Sequence, residues 1–360
     1  MDVCPPSLLN WIKIRMTASI ISIDDYRAEE EMPTPPVHDW AKPALVALGG
    51  VLKHRAYQFV TVSPLTHKRI NARPASAWAH DLCGIFGWSR PFTPALAGDD
   101  ILGLMRQAGV VEAANGALHS RLRASTLDGQ LYFHSAYPTT AAEAVFFGPD
   151  TYRFVRALSA VIGALGHPVA RAADIGCGAG PGAVTIALAL PDAAVYAVDI
   201  NPAALALTQV NAELAGANNL IAVESNLLRG VEGQFDLIVS NPPYLVDREQ
   251  RAYRHGGGDL GAGLSIAVVD EAIARLAPGG TLLLYTGVAL VANADPFRHA
   301  VEPLLTAAGF TWTYEEIDPD VFGEELDEPA YAFADRIAAV WLRASSPWSA
   351  AATVTTDEAR

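Results

Sequence analysis

From residue 149 onward the chain alternates between two kinds of stretch. Short apolar runs rich in Val, Ile, Leu and Ala (ARAADIG, AVYAVDI, LIAVES, FDLIVSN and GTLLLYTG, then FTWTYEEI and RIAAVWLR) are separated by longer segments with helical spacing. Continuous apolar runs of this length suit strands covered on both faces, and their alternation with helices predicts βαβ units around a parallel sheet. The helix starts are marked in the sequence. Pro149 or Asp150 opens one and Pro181-Gly182 another, while Asn201-Pro202 sets a side-chain acceptor at the N-cap and a residue without N–H at the first helical position. The expected fold is α/β: a Rossmann-like, seven-stranded, mostly parallel sheet with helices on both faces. No internal similarity at solenoid periods is present.

Upstream the pattern changes. Residues 75–86 and 99–108 read as helices, followed by LHSRLRAS and GQLYFHS around the turn signal Asp128-Gly129, which predicts a hairpin. Helix, helix, hairpin is compatible with a small α+β, winged-helix-like unit. Residues 1–38 mix Pro with the acids Asp24, Asp25, Glu29, Glu30 and Glu31, a composition that buries little apolar surface and reads as a loose arm.

Composition narrows the class. With 51% hydrophobic and 18% charged residues over 360 positions the chain is globular. No apolar run approaches the roughly 18 residues of a membrane span, and the N-terminus is too broken by Pro and polar residues for a secretory signal, so a cytoplasmic protein without a membrane partner is expected. Cys4, Cys83 and Cys177 are odd in number and widely spaced, and His67, His80 and His134 show no ligand spacing, so neither a disulfide framework nor a metal site is expected. The net charge of −14 is unevenly spread. Residues 40–147 hold 10 basic and 6 acidic side chains, whereas residues 148–345 hold 11 basic and 24 acidic. Lys68, Arg69, Arg73, Arg121 and Arg123 are thus available for phosphates. The acidic half would repel a polyanion near the reaction centre, within a Debye length of about 8 Å.

The loop DIGCGAGPG, residues 174–182, follows a strand and opens a helix, which lets a ligand approach the backbone and the helix N-terminal N–H groups. Asp199 closes the next strand, where an acid can accept hydrogen bonds from both hydroxyls of a ribose. A nicotinamide dinucleotide would use the same features, and a silent cofactor-binding scaffold is a non-enzymatic reading. FDLIVSNPPYLVD, residues 235–247, separates these possibilities, because hydride transfer has no use for an amide, two prolines and a phenol at a strand end.

DIGCGAGPG, AVDIN and SNPPY, in that order and spacing, resemble the class I S-adenosylmethionine-dependent methyltransferases. Over residues 146–285 the chain is similar to the release-factor glutamine methyltransferases and to the related enzymes that methylate amino groups of DNA and RNA. FFGPDTYRFV, residues 146–155, resembles the segment before the first strand in the glutamine-methylating group, and GGGDLGAGLS, residues 256–265, resembles the glycine-rich turn after NPPY. The resemblance implies S-adenosylmethionine held by Asp174, Gly176, Cys177, Gly178, Gly180, Asp199 and Ile200, and by Asn226 where the family often has Asp. Cys177 suits close packing within the loop and not nucleophilic chemistry. It implies Asn241, Pro242, Pro243 and Tyr244 at the reaction centre, with Asn241 also bordering the cofactor. A planar carboxamide or amine is a poor nucleophile, so orientation must supply the help. The Asn241 side-chain oxygen and the Pro242 carbonyl would each accept one N–H of the target –NH₂, the prolines would stiffen the bend, and Tyr244 would stack on the planar group or shield it from water. The implied organisation is a flexible arm 1–38, a substrate-recognition domain 39–147, a methyltransferase domain 148–345 and a tail 346–360. The expected acceptor is a protein glutamine, ahead of a nucleobase amine in RNA or DNA guided by the basic N-terminal domain, and ahead of a small-molecule amine.

Overall fold

The computed structural model describes residues 40–348. The expected arm 1–38 and all but the first three residues of the expected tail lie outside the described residues. The N-terminal portion opens with helix α1 (Lys42–His54) and α2 (Pro64–Asn71), the latter capped by Ser63. The helix expected over residues 75–86 is divided: a single 3₁₀ turn, Pro74–Ser76, is followed by the short α3 (Leu82–Phe86). Asp81 makes the break, because its extended backbone lets its carboxylate accept the Gly84 N–H at 2.7 Å and begin a new helix there. Next comes α4 (Pro94–Gln107). Two hairpins follow where one was expected, β1 (Val111–Ala114) with β2 (Ala117–Ser120), and β3 (Leu122–Leu127) with β4 (Gln130–Ser135). Each turns on a pair with positive φ, Asn115-Gly116 and Asp128-Gly129, as tight hairpins require.

The second half supplies the layers around one sheet. In chain order it runs α5 (Pro149–Ile162), β5 (Arg171–Ile175), α6 (Pro181–Ala189), β6 (Ala194–Asp199), α7 (Pro202–Ala215), β7 (Leu220–Glu224), β8 (Phe235–Ser240), α8 (Gly263–Arg275), β9 (Leu276–Leu290), α9 (Pro296–Ala307), β10 (Thr311–Asp318) and β11 (Arg336–Ser345). The seven strands stand in the order β10-β11-β9-β8-β5-β6-β7. Pairings among β7, β6, β5, β8 and β9 are parallel, and β11 runs antiparallel to both its neighbours. The expected sheet is therefore the one formed. Its central strands are buried on both faces, Leu237, Ile238 and Val239 being fully inaccessible, which is why they read as unbroken apolar runs.

The N-terminal elements share this core. One apolar cluster runs from Leu45, Leu48 and Phe133 to Val184, Leu207 and Leu237. Gly49 of α1 permits the contact with α7, since a Cβ there would lie 2.5 Å from a Leu214 methyl carbon. Asn211 of α7, inaccessible to solvent, binds both backbone groups of Phe133 on β4 and also donates to the Ala179 carbonyl at 2.8 Å. The same side chain thus ties the hairpin to the glycine-rich loop. Among the described residues no helix is long and apolar enough to cross a membrane, and no group of His, Cys, Asp and Glu could hold a metal ion.

Candidate active site

Register in the parallel sheet brings the strand ends together. Ile175 pairs with Ser240 on one side and Val198 on the other, and Asp199 pairs with Glu224. The carboxyl ends of β8, β5, β6 and β7 therefore line one edge, the place where open α/β sheets bind ligands. The glycine-rich loop leaves β5, Asp199 and Ile200 leave β6, Asn226 follows β7 and the NPPY bend leaves β8.

The loop is held from beneath. Gly176 and Cys177 both donate their N–H to the Val198 carbonyl, at 2.8 and 3.0 Å. Asp174 is buried and accepts the Ala183 N–H at 2.7 Å, so it anchors the first turn of α6. Burial raises its carboxyl to about 7, against the opposing effect of that hydrogen bond. Gly182 is required beside it, because a Cβ there would meet the Asp174 carboxylate at 2.6 Å. Cys177 is buried with its sulfur 3.5 Å from the Thr208 hydroxyl, and burial pushes its thiol up, away from the thiolate. A packing role suits it better than a nucleophilic one.

Gly176 and Gly178 have positive φ, and nothing lies within 4 Å of the point where a side chain would begin. They leave a bare backbone surface facing open space. Gly180, also at positive φ, instead faces Thr208. Asp199 accepts the Gly178 N–H at 2.9 Å on one oxygen and the Asn201 N–H at 2.9 Å on the other, fixing loop and carboxylate relative to each other. Ile200 is 41% exposed, an apolar side chain held at the surface beside this carboxylate, and Asn226 is exposed as well. An open glycine backbone, a hydroxyl-accepting acid, an apolar platform and an amide fit a cofactor that carries a nucleoside.

At the end of β8, Ser240 donates to the Ile175 carbonyl at 2.7 Å and so fastens the bend to the start of the glycine loop. Asn241 is the next residue. Its partly exposed carboxamide makes no hydrogen bond to the described residues. Tyr244, expected to stack on the planar group or shield it from water, is set into the core. It is 7% exposed, its hydroxyl donates to Asp150 at 2.6 Å, and its ring packs edge-on to Phe322 and against Gly287. Tyr285 donates to the other Asp150 oxygen at 2.7 Å, and Arg153 pairs with the same carboxylate. Burial and the adjacent carboxylate raise the Tyr244 phenol far above its ordinary value, keeping it protonated.

The glycine-rich turn packs directly behind the bend. A Cβ on Gly256 would lie 2.0 Å from the Gly261 carbonyl and 2.7 Å from that of Pro243, and one on Gly261 would lie 2.2 Å from that of Tyr244. Leu245 bridges to His255, while Asp247 binds Arg251 and Arg254. The acidic segment before β11 closes over this loop: Glu325 pairs with Arg254, Glu328 with Arg248 at 3.2 Å, and the Tyr331 hydroxyl accepts the Val246 N–H at 2.8 Å. On the opposite side, residues 139–146 approach from the N-terminal half. Tyr253 donates to the Thr139 carbonyl at 2.7 Å and lies parallel to Phe146, and Asn201 donates to the Glu143 carbonyl at 2.9 Å. Sequence reasoning missed Asp150, Tyr285 and Tyr253; Asp150 followed by an aromatic-rich helix in FFGPDTYRFV was the available signal.

Residues 156–294 match the model of the methyltransferase small domain family. The release factor glutamine methyltransferase of Deinococcus radiodurans is 34% identical over 217 residues, covering 57% of this chain and 73% of that protein. The enzyme of the same name from Cereibacter sphaeroides is 31% identical over 227 residues, 59% of this chain and 76% of its own. That of Geobacter sulfurreducens is 40% identical over a shorter stretch of 128 residues, 32% of this chain and 44% of its own.

Proposed function

The chain belongs to the release factor glutamine methyltransferase family of S-adenosylmethionine-dependent enzymes, and from that premise we propose that it methylates the side-chain amide nitrogen of a glutamine in a release-factor-like protein. The carrying observation is Asn241: a carboxamide with no hydrogen bond to the described residues, one residue beyond the strand end fastened to the glycine loop.

S-adenosylmethionine, when bound, supplies an electrophilic methyl group on its sulfonium. This chain's part is to hold the cofactor and to orient the acceptor. We assign the cofactor to Gly176, Gly178, Asp199, Ile200 and Asn226, with Asp174, Cys177 and Gly180 holding the loop in shape. Asn241 Oδ1 and the Pro242 carbonyl would accept the two N–H groups of the glutamine amide, which turns the nitrogen lone pair toward the cofactor. A proline following each of Asn241 and Pro242 stiffens the backbone and removes competing N–H donors. The proton leaves from a nitrogen already bonded to two acceptors, which stabilises positive charge as it develops there. Tyr244, braced by Asp150, fixes the bend from inside the core, and Phe146 with Tyr253 borders the approach for the acceptor.

A nucleobase amine in RNA or DNA is the second reading. Lys68, Arg69 and Arg73 favour it, since all three are exposed and none forms an ion pair with a described residue. The acidic segment over the NPPY loop weighs against a polyanion there. Incubating the protein with methyl-labelled S-adenosylmethionine and a purified bacterial release factor, then mapping the label by peptide mass spectrometry, tests the proposal. Label on a glutamine amide is expected; label confined to nucleic acid in a mixed lysate would replace it with the second reading.

A further inference from the structure

The β3–β4 hairpin carries a buried cation that no carboxylate answers. Arg123 is 3% exposed, and its one hydrogen bond runs from Nε to the Ser135 carbonyl at 3.0 Å. Among the described residues its two terminal nitrogens have no hydrogen-bond partner and no acidic side chain pairs with it. Burial pulls the guanidinium down to about 10, and the groups that oppose this shift are the phenols of Tyr57, Tyr137 and Tyr152. An unpaired guanidinium in such a place is strongly unfavourable, and its donors form a fork suited to an oxyanion.

Two buried ring nitrogens lie close by. His134, fully buried, stands opposite Arg123 in the hairpin register; its Nε2 is 2.7 Å from Ser125 Oγ, and its Nδ1 makes no hydrogen bond of normal geometry, although the Ser135 backbone interacts with the ring. His67 of α2, also fully buried, sets Nε2 2.9 Å from the Trp88 carbonyl, so that nitrogen carries the proton and the Nδ1 lone pair is left without a donor. Both imidazoles are within electrostatic reach of Arg123, and of each other. Buried polar atoms without partners are rare, and their grouping points to a polar occupant that satisfies them together.

The requirements differ from atom to atom. Arg123 offers N–H groups, whereas His67 Nδ1 needs a donor, and His134 Nδ1 adapts because the Ser125 hydroxyl can donate or accept. Sulfate and carboxylate present only acceptors at neutral pH. Orthophosphate carries both anionic oxygens and an O–H. We propose that Arg123, His134 and His67 form a binding site for orthophosphate, with its anionic oxygens accepting from Arg123 and its O–H donating to His67 Nδ1. Tyr137 and Tyr152, only partly buried, form the rim, and the exposed Lys68 and Arg69 on α2 favour the anion's approach. The site uses none of the residues assigned to the methyl-transfer crevice.

The test is a titration of the full chain with phosphate at constant ionic strength, read by thermal unfolding and by the ¹⁵N shifts of the histidine rings. Phosphate is expected to raise Tm saturably and to move His67 Nδ1, with sulfate and acetate at least about tenfold weaker for want of a donor. A phosphate monoester as large as glycerol phosphate should also be weaker if free orthophosphate is the ligand; equal binding would reassign the site to phosphate esters. Arg123→Gln should abolish the phosphate effect and, having shed the unpaired charge, be no less stable than the parent in phosphate-free buffer. Should that variant fail to fold, the titration of the unaltered protein still decides. Stabilisation no greater than that from chloride would overturn the proposal and leave a merely hydrated cation. Equal responses to sulfate with His67 Nδ1 unmoved would likewise overturn the phosphate assignment.

Discussion

Asn241 and Tyr244 sit three residues apart and are treated in opposite ways. The Asn241 carboxamide makes no hydrogen bond to the described residues, whereas the Tyr244 hydroxyl is committed to Asp150 at 2.6 Å. The first is the group proposed to receive the acceptor; the second holds the bend to α5. Tyr244→Phe retains the ring and removes that bond, leaving Asp150 with Tyr285 and Arg153. A loss of about 2 kcal/mol in unfolding free energy is expected from denaturant titration, as for a hydrogen bond to a charged acceptor. An unchanged midpoint would mean the hydroxyl braces nothing. NPPY was legible because an amide and two prolines at the end of an apolar run have a local signature. Asp150 was not, because its partners lie 94 and 135 residues away in sequence, a separation no pattern along the chain reports.

At the scale of elements, the strands were the most legible part because burial on both faces leaves them continuously apolar. α1 was missed for the reverse reason: Gly49 and Gly50 interrupt its helical signal, and Gly49 is there because Leu214 of α7 fills the space a side chain would take. Tertiary packing overrides propensity at that contact. The glycine-rich turn behind NPPY follows the same logic. Gly256→Ala would drive a methyl group into the Gly261 carbonyl and the Pro243 carbonyl, displacing the bend it supports. Misplacement of about 1 Å at a reacting group is worth on the order of 10² in rate. The variant is expected to lose methyl transfer by about that factor while keeping S-adenosylmethionine affinity, as read by calorimetry; a normal rate would show that the turn is not a support.

For the molecule as a whole, the division into a basic and an acidic half is visible in the residue counts, but their joining is not. Asn211 links hairpin, α7 and glycine loop, so the N-terminal elements are part of what holds the glycine-rich loop in place. The buried acid beneath that loop also makes global stability depend on pH. Asp174 is raised by burial to about 7, while in the unfolded chain it ionises near its ordinary value of about 3.9. The folded state therefore holds a proton that the unfolded state has released. The resulting stability is fully present below about pH 4 and is lost as pH rises through about 7. The Tm difference between the parent and Asp174→Asn, which can still accept the Ala183 N–H, should shift against the parent over that interval. A difference independent of pH would mean the carboxyl is ionised throughout.

These levels meet at the end of β8, in the step proposed for this chain: the orientation of an –NH₂ group by Asn241 and the Pro242 carbonyl. The most direct measurement is single-turnover methyl transfer to a release-factor glutamine by Asn241→Ala, with S-adenosylmethionine binding measured on the same preparation. The account predicts an unchanged cofactor dissociation constant and a transfer rate lowered by on the order of 10² or more. A variant that transfers at the parental rate would contradict it.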